Sequence, residues 1–317
     1  MARSTAKFIS YDLRPAKQSE RMILVDILKI GGDCGLPIGA YRYVGMGANR
    51  FYGYLLLHRY IGIKNMVSLE HDGQMYKRAV FNVPYKFIDV LETSASDFLA
   101  NDTSNAPTIS WLDYDGGIGP EIFQDIAALC LKMKVGDFFF TTVYGGPPRI
   151  LERQNSEGRL AWLKDSLGDI AGTVEIEDVE NFTFRKAVHK MLMAAFQNAF
   201  SVRRDGIFLP LLQVVYTDSM PMVTVGGAFL TQGQTVDYRK KMNAVLQFLS
   251  TEETKLYEIH MPNLTERERI LFDHAVTAKL KRSSEWNRLK KLGFKDKEFN
   301  SYQELVRYLP RYVEAIV

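Results

Sequence analysis

The sequence predicts an α/β protein with a doubly wound, mostly parallel seven-stranded sheet that ends in an antiparallel hairpin. Five short apolar runs alternate with helical patterns over residues 41–143, which is typical of βαβ units and a parallel sheet. Two further β-rich runs, FLPLLQVVYT and MPMVTVGGAFL, follow a long helical pattern, and Asp218, Ser219 and Pro221 punctuate them as a hairpin. The expected organisation is a helical lead-in over 1–39, the sheet domain over 40–235 and a helical appendage over 236–317.

The composition indicates a globular chain with one large core. Its 317 residues are 46% hydrophobic, which supplies enough apolar material for such a core, and 24% charged, which is too little for wholesale disorder. The net charge of +3 gives no sign of a broad nucleic-acid-binding surface. A local basic patch leaves nucleic acid open as a partner.

Cysteine use and the N-terminal composition indicate the compartment. Cys34 and Cys130 have neither metal-ligand spacing nor a disulfide framework, and Cys130 in IAALCLKM is expected to be a small buried hydrophobe. The segment MARSTAKFISYDLRPAKQ lacks an apolar signal-peptide region, and no apolar stretch is long enough to span a bilayer. We therefore expect a cytoplasmic protein with no membrane partner.

The first predicted helix begins near Pro15, a residue that suits a first helical turn, and its apolar face starts at Met22. Arg14, Lys17 and Arg21 share another face at i, i+3 and i+7 spacing. We favour a solvated face, paired in part with Glu20. The alternative is an anion clamp over the mouth of an active site, which would indicate an anionic substrate.

The central elements follow in order. Strands are predicted over 41–44, 65–69, 87–91, 108–112 and 137–143, and helices over 51–61, 74–81, 120–134 and 184–199. The last zone, from about residue 236, has a helical pattern. There the pairs Thr265 with Glu268 and Ser301 with Glu304 have the spacing of capping boxes at helix starts.

Polar or glycine residues follow four successive strands. The turn Gly45-Met46-Gly47 comes after the first strand, Glu70 ends the second, Ser94 follows the third and Asp113 follows the fourth. Because ligands of open α/β sheets bind outside the carboxyl ends of the strands, we expect these residues to lie along one edge. Glycines allow close backbone approach to a ligand, and an acid after the second strand can accept hydrogen bonds from ribose hydroxyls.

Residues 40–230 resemble a class I S-adenosylmethionine-dependent methyltransferase, which has a Rossmann-type fold. The resemblance implies S-adenosylmethionine as cofactor and methyl transfer as activity. In that family a glycine-rich turn follows the first strand, an acid ends the second, a polar residue after the third contacts adenine and an acidic motif ends the fourth. These features match Gly45 and Gly47, Glu70, Ser94 with Ala95, and Asp113 to Asp115.

Three positions depart from the family pattern. Tyr43 stands where an acid often holds the amino group of the methionine moiety, Asn49 replaces the third glycine, and Ser94 replaces an acid beside adenine. Asn49 is expected to bind cofactor in a left-handed conformation, which asparagine tolerates. The departures leave a second hypothesis open, a catalytically inactive methyltransferase-like binding or interaction protein.

Asp113 and Asp115 are the candidate catalytic residues, since methyl transfer needs positioning of the reactants and, for weak nucleophiles, a base. An Asn-Pro-Pro-Tyr motif, typical of amino-methylating relatives, is missing from the sequence, so oxygen is the expected acceptor atom. Tyr144, after the fifth strand, is either a substrate-side residue or part of a plain loop.

Other functional classes fit the sequence less well. Arg50 stands where a nicotinamide-binding G-x-G-x-x-G turn needs its last glycine, and G-x-S-x-G, the hydrolase motif, does not occur. No pair among the five histidines has ligand spacing, so no metal site is expected. The acceptor substrate is unidentified, and a protein partner or a homo-oligomer is left open.

Overall fold

The computed structural model describes residues 14–252, 254–262, 264–277 and 283–309. Residues 1–13 of the expected lead-in, and residues 253, 263, 278–282 and 310–317 of the expected appendage, lie outside this description. The strands are β1 (Arg42–Gly45), β2 (Asn65–Glu70), β3 (Ile88–Glu92), β4 (Thr108–Gly117), β5 (Phe138–Tyr144), β6 (Ile207–Thr217), β7 (Pro221–Leu230) and β8 (Tyr257–Ile259). They form one sheet in the order β3-β2-β1-β4-β5-β7-β6-β8.

The predicted fold class is confirmed. Strands β1 to β5 pair in parallel, whereas β7 runs antiparallel to both β5 and β6. The additional strand β8 pairs in parallel with residues 214–216 of β6. Its three residues are too few to show the alternation by which a strand is recognised in a sequence.

Helices cover both faces of the sheet. They are α1 (Pro15–Asp33), α2 (Tyr52–Ile61), α3 (Gly73–Asn82), α4 (Ala95–Asn101), α5 (Pro120–Lys132), α6 (Ser156–Leu167), α7 (Phe184–Ser201), α8 (Gln232–Val245), α9 (Glu266–Thr277), α10 (Ser284–Lys291) and α11 (Asp296–Leu305). One buried cluster joins the sheet to α1, α2 and α8, and a second joins its other face to α4, α5, α6 and α7. Within the described chain, no helix has the length and apolar character needed to cross a membrane.

Helix α1 is buried in the molecule, so the solvated polar face expected for it is wrong. Lys17 is 1% exposed, Glu20 0% and Arg21 8%. The helix packs against α2, α8 and the end of β6. These charged side chains therefore lie between α1 and the sheet, where each needs a partner within the protein or a ligand.

Two local expectations are also corrected. Strand β4 continues to Gly117, with an irregular register after Asp113, so both candidate aspartates lie within the strand. Ser301 lies inside α11, whose first residue is Asp296, and its hydroxyl donates to the His260 carbonyl. The Ser-x-x-Glu spacing alone does not distinguish a serine that caps a helix from one inside a helix whose hydroxyl bonds a neighbouring segment.

The first C-terminal capping box is confirmed, because the Thr265 and Glu268 side chains each accept the other residue's backbone N–H. Helices α9, α10 and α11 enclose a third, separate buried cluster. Helix α8 crosses the boundary expected at residue 235. The three-part division of the chain therefore stays a prediction.

Candidate active site

The turn between β1 and α2 is a tightly packed loop with two strained residues. Ala48 has a φ of 45° and Phe51 a φ of 54°, both in the left-handed region that L-residues rarely adopt. The Gly47 N–H donates to Ser68 Oγ at 3.0 Å, and a Cβ on Gly47 would lie 2.7 Å from that oxygen. The left-handed conformation was expected for Asn49, but Ala48 and Phe51 adopt it instead. Strain of this kind is often found at ligand-binding turns.

Tyr43 occupies the place of the family's acid and cannot replace its charge. Its ring is buried and packs edge-to-face on Tyr54, with ring centroids 4.8 Å apart. Burial raises the pKa of the Tyr43 hydroxyl, so it stays a neutral phenol. The hydroxyl lies beside Gly45, since a Cβ there would be 2.6 Å from it. The carboxyl end of β1 is therefore polar but carries no negative charge on Tyr43.

Glu70 ends β2 as expected, at the same edge as the glycine turn. One carboxylate oxygen accepts the Asp72 N–H at 3.2 Å, and partial burial raises the pKa of Glu70. Asp72 in turn caps α3 by accepting two backbone N–H groups at 2.9 Å. The hydrogen bond from Asp72 orients the Glu70 carboxylate, and the Glu70 side chain stays 14% exposed.

Ser94 follows β3 and acts as the N-cap of α4. Its hydroxyl accepts the Asp97 N–H at 3.0 Å and donates to the Asp97 carboxylate at 2.7 Å. Ala95, the neighbour expected beside adenine, is buried. The Ser94 side chain is thus engaged within the protein, which limits what it can offer to a ligand.

Asp125 of α5 supports this side of the site and was not recognised in the sequence. The Ser96 hydroxyl and the Tyr114 hydroxyl each donate to its carboxylate at 2.7 Å. One buried carboxylate therefore ties the start of α4 to the end of β4. In the sequence, Asp125 is an ordinary acid on an amphipathic helix, and nothing distinguishes it from a solvated one.

Asp113 is held by a lysine from the N-terminal helix. Lys17 Nζ lies 2.8 Å from Asp113 Oδ2 and 2.8 Å from Glu20 Oε2. The Asp113 side chain is 31% exposed, whereas Lys17 and Glu20 are almost completely buried. The ammonium therefore joins one internal carboxylate to one that reaches the open side of the site.

A hydrogen-bonded chain extends from this ion cluster into the sheet. The Thr224 hydroxyl donates to Glu20, Thr224 and Thr142 share a hydrogen bond of 2.7 Å, and Trp111 Nε1 donates to Thr142 at 2.9 Å. Burial raises the pKa of Glu20, and the Lys17 ammonium opposes that effect. These contacts restrict the orientation of the lysine.

The other cations of the predicted clamp have different surroundings. Arg14 forms an ion pair with Asp218 at 3.5 Å, and Asp218 also accepts the backbone N–H groups of Ala16 and Lys17 at 3.0 Å each. The Arg21 guanidinium lies 5.8 Å from the centroid of the Tyr52 ring, at the start of α2. The predicted clamp face thus contains two cations that face carboxylates and one that lies beside the glycine turn.

The remaining predicted site residues lie toward the rim. Asp115 is exposed, two positions beyond Asp113 on β4. Tyr144, at the end of β5, pairs with Gly117 in the sheet, and its ring lies against Gly146. The structure therefore brings Gly45, Gly47, Glu70 and Asp113 to one edge, and it places Asp115 and Tyr144 at that edge's outer side.

The residues present fit S-adenosylmethionine better than a metal. Among the described residues no group of three or more His, Cys, Asp or Glu side chains could hold a metal ion. Gly45 and Gly47 themselves carry no side chain at the end of β1, and Glu70 supplies a carboxylate for a ribose diol. Asn49 Oδ1 is buried and lacks a hydrogen-bond partner in the described part of the chain. That oxygen is an acceptor for which the protein itself provides no donor.

The sheet, its terminal antiparallel pair and the glycine turn at the end of β1 define the class. The protein is a Rossmann-fold methyltransferase with S-adenosylmethionine as its cofactor. A family model described as "Putative O-methyltransferase" matches residues 9–317, and the chain belongs to that family. Its activity is accordingly methyl transfer.

The solved structures that the chain resembles share little sequence with it. An O-methyltransferase from Bacillus cereus in complex with SAH is 17% identical, covering 70% of this chain and 85% of that chain, with a TM-score of 0.39. The N-methyltransferase NodS from Bradyrhizobium japonicum is 12% identical over 69% and 99% of the two chains, with a TM-score of 0.39. An rRNA methylase from Streptococcus thermophilus is 9% identical over 65% and 94%, with a TM-score of 0.36. Among curated proteins, none matches significantly.

Proposed function

We propose that the protein methylates a hydroxyl oxygen of an acceptor, with Asp113 as the catalytic base. The observation that carries the proposal is the Asp113 carboxylate, which has one oxygen held by the buried Lys17 ammonium and is itself partly exposed. A fixed carboxylate at the carboxyl edge of the sheet is suited to accept a proton from an acceptor hydroxyl. Asp115, further out on β4, would orient the acceptor.

The cofactor would be held by Gly45 and Gly47 through their backbone, by Glu70 through the ribose and by Ala95 beside adenine. When bound, S-adenosylmethionine supplies a methyl group on a sulfonium, which an oxygen nucleophile displaces. The remaining work of this chain is to orient the acceptor, accept its proton and exclude water. Preorganised groups such as the Lys17–Asp113 pair perform this without reorganisation during the reaction.

The proposal extends to the kind of acceptor and to the cellular compartment. Because Lys17 and Arg14 already face carboxylates, we propose an acceptor that is recognised mainly through its hydroxyl group and apolar surface. An anionic acceptor, a nucleic-acid acceptor and a protein partner stay predictions from the sequence. Both cysteines are free thiols, which supports the cytoplasm as the compartment.

The test combines binding and transfer. Calorimetric titration with S-adenosylmethionine and with S-adenosylhomocysteine should show micromolar binding that Glu70→Ala abolishes. Radiolabelled methyl groups should then pass to members of a panel of phenols and catechols, but not to matched amines. Asp113→Asn should bind both nucleosides normally and lower kcat by about 10²–10⁴-fold, while the exposed Asp165→Asn on α6 serves as the matched control.

Two results would contradict this function. Label transferred to the amines alone would overturn the choice of oxygen. The lack of any binding at millimolar ligand would favour the inactive scaffold, the hypothesis that the neutral Tyr43 supports.

A further inference from the structure

Arg21 is a buried cation that has no acidic side chain within ion-pair distance among the described residues. The residue is 8% exposed, and its Nη1 atom has no hydrogen-bond partner among the described residues. The guanidinium carbon lies 5.8 Å from the centroid of the Tyr52 ring. Removing a guanidinium from water without a paired anion is costly, so this arrangement indicates a missing anionic partner.

The position of Arg21 shows where that partner would lie. Tyr52 is the first residue of α2 and directly follows the glycine turn. The charge of Arg21 also lowers the pKa of Tyr43, against the larger effect of burial, and the Tyr43 hydroxyl lies beside Gly45. Arg21 is therefore on the α1 side of the turn at the end of β1.

The neighbouring cations do not share this property. Lys17 lies 2.8 Å from each of two carboxylates, and Arg14 lies 3.5 Å from Asp218. Each of these two residues has an acid in contact, and Arg21, one helical turn further along α1, has none in the described part of the chain. Among the described residues, the helix thus brings to the glycine turn one cation that has no direct ion pair.

We propose that Arg21 binds the carboxylate of the cofactor's methionine moiety. The inference rests on the proposed function, because the glycine turn is where the methionine end of S-adenosylmethionine would lie. The proposal also accounts for Tyr43, which stands where the family has an acid for the cofactor's amino group. Without that acid, this chain would hold the methionine moiety through its carboxylate, with Arg21 as the cation. Arginine suits this role because its planar fork can bind a carboxylate through two parallel hydrogen bonds.

The test compares two ligands that differ only in that carboxylate. They are S-adenosylhomocysteine and its decarboxylated analogue, 5′-(3-aminopropylthio)-5′-deoxyadenosine, titrated calorimetrically into the full-length protein. In Arg21→Met the affinity for S-adenosylhomocysteine should fall about 30-fold, and that for the analogue should change less than about threefold. Arg21→Lys keeps the charge but not the fork and should give an intermediate loss.

Lys29→Met is the matched control, because Lys29 is an exposed cation of the same helix. It should leave both affinities unchanged. Thermal melting of Arg21→Met should stay close to that of the wild type, since the substitution removes a buried charge without a protein partner.

Three outcomes would overturn the assignment. An equal loss for both ligands would mean that Arg21 only packs against the turn. Unchanged affinity for both would mean that its anion belongs to the acceptor substrate or to another segment. A wild-type protein that binds neither ligand would instead refute the proposed function itself, which keeps the two failures distinct.

Discussion

Backbone conformation at single residues determines the shape of the cofactor turn. Ala48 and Phe51 both adopt positive φ values, although neither is a glycine, asparagine or aspartate. Each such residue costs on the order of 1–2 kcal/mol relative to a right-handed conformation. The Phe51 ring is buried beneath Gly47, and the Ser68 hydroxyl accepts the Gly47 N–H. Packing of the turn onto β2 and α2 therefore offsets the strain.

Gly47→Ala should disturb this turn more than its small volume suggests. The new methyl group would lie 2.7 Å from Ser68 Oγ and 2.8 Å from the Phe51 ring, so one of them must move. We expect about 1–3 kcal/mol lower stability and at least about tenfold weaker binding of S-adenosylhomocysteine, measured by denaturant unfolding and calorimetry.

Gly32→Ala provides the matched control for that substitution. A Cβ on Gly32 would meet no atom within 4 Å, and this glycine lies in helix α1. Here alanine should raise stability by about 0.5–1 kcal/mol and leave binding unchanged. Equal affinity in Gly47→Ala and the wild type would show that the turn does not contact the cofactor.

At the scale of elements, helix α1 is held to the sheet by its own N-terminus. Its N-cap position, Arg14, provides no side-chain cap, and the cap comes instead from Asp218 in the β6–β7 turn. The Asp218 carboxylate accepts the N–H groups of Ala16 and Lys17, which are 202 and 201 residues away in sequence, and also contacts Arg14. A carboxylate at a helix N-terminus also interacts favourably with the helix dipole.

Asp218→Ala should therefore loosen α1 and, with it, the Lys17–Asp113 pair. We expect a loss of about 1–2 kcal/mol in the free energy of unfolding and faster amide hydrogen exchange in the first turns of α1. Glu252→Ala, which breaks an exposed ion pair with Lys255, should cost less than about 0.5 kcal/mol. Unchanged exchange in α1 would mean that apolar packing alone positions the helix.

The sequence predicted local elements well and long-range contacts poorly. Strands β1, β2 and β5 differ from their predicted bounds by one residue at each end at most, because apolar runs and flanking turn residues define them locally. The burial of Lys17 depends on Glu20, Asp113 and the Trp111 ring, which come from different elements. Periodicity alone assigns such a lysine to a solvated face.

The site residues also separate into those that local sequence predicts and those that depend on distant partners. Gly45, Gly47 and Glu70 were found because they stand at strand ends, where the fold places ligands. Asp125 and Asp218 were missed as functional groups because their partners, Tyr114 and the N-terminus of α1, come from distant parts of the chain. The extra residues of β4 were missed because Asp, Gly and Tyr in succession resemble a turn.

At the scale of the whole molecule, the C-terminal helices have their own small core. Phe272, Trp286 and Phe299 are buried together, with the Trp286 ring 5.9 Å from Phe272 and 4.6 Å from Phe299. Leu305 and Tyr308, at the end of this segment, belong to the main buried cluster of the sheet domain, and polar contacts near β8 and α1 add to these links. Examples are the hydrogen bonds from Tyr257 to Glu304 at 2.8 Å and from Tyr308 to Asp26 at 3.0 Å.

Such an arrangement predicts that the C-terminal helices can unfold while the methyltransferase domain stays folded. Trp286→Ala should cost about 3–5 kcal/mol within the small core, because it removes the largest buried side chain there. Hydrogen exchange measured by mass spectrometry should then accelerate in α9, α10 and α11 but not in β1 or β4. The affinity for S-adenosylhomocysteine should stay within about threefold of the wild-type value.

Phe139→Ala is the contrasting variant, since Phe139 is completely buried in β5 and its ring centroid lies 5.2 Å from that of Phe196 in α7. It should destabilise the sheet domain itself and accelerate exchange throughout, with loss of ligand binding. Exchange in Trp286→Ala that rises equally in β1, β4 and α10 would show that the C-terminal helices and the sheet unfold as one cooperative unit. The division expected at residue 235 would then have no thermodynamic counterpart.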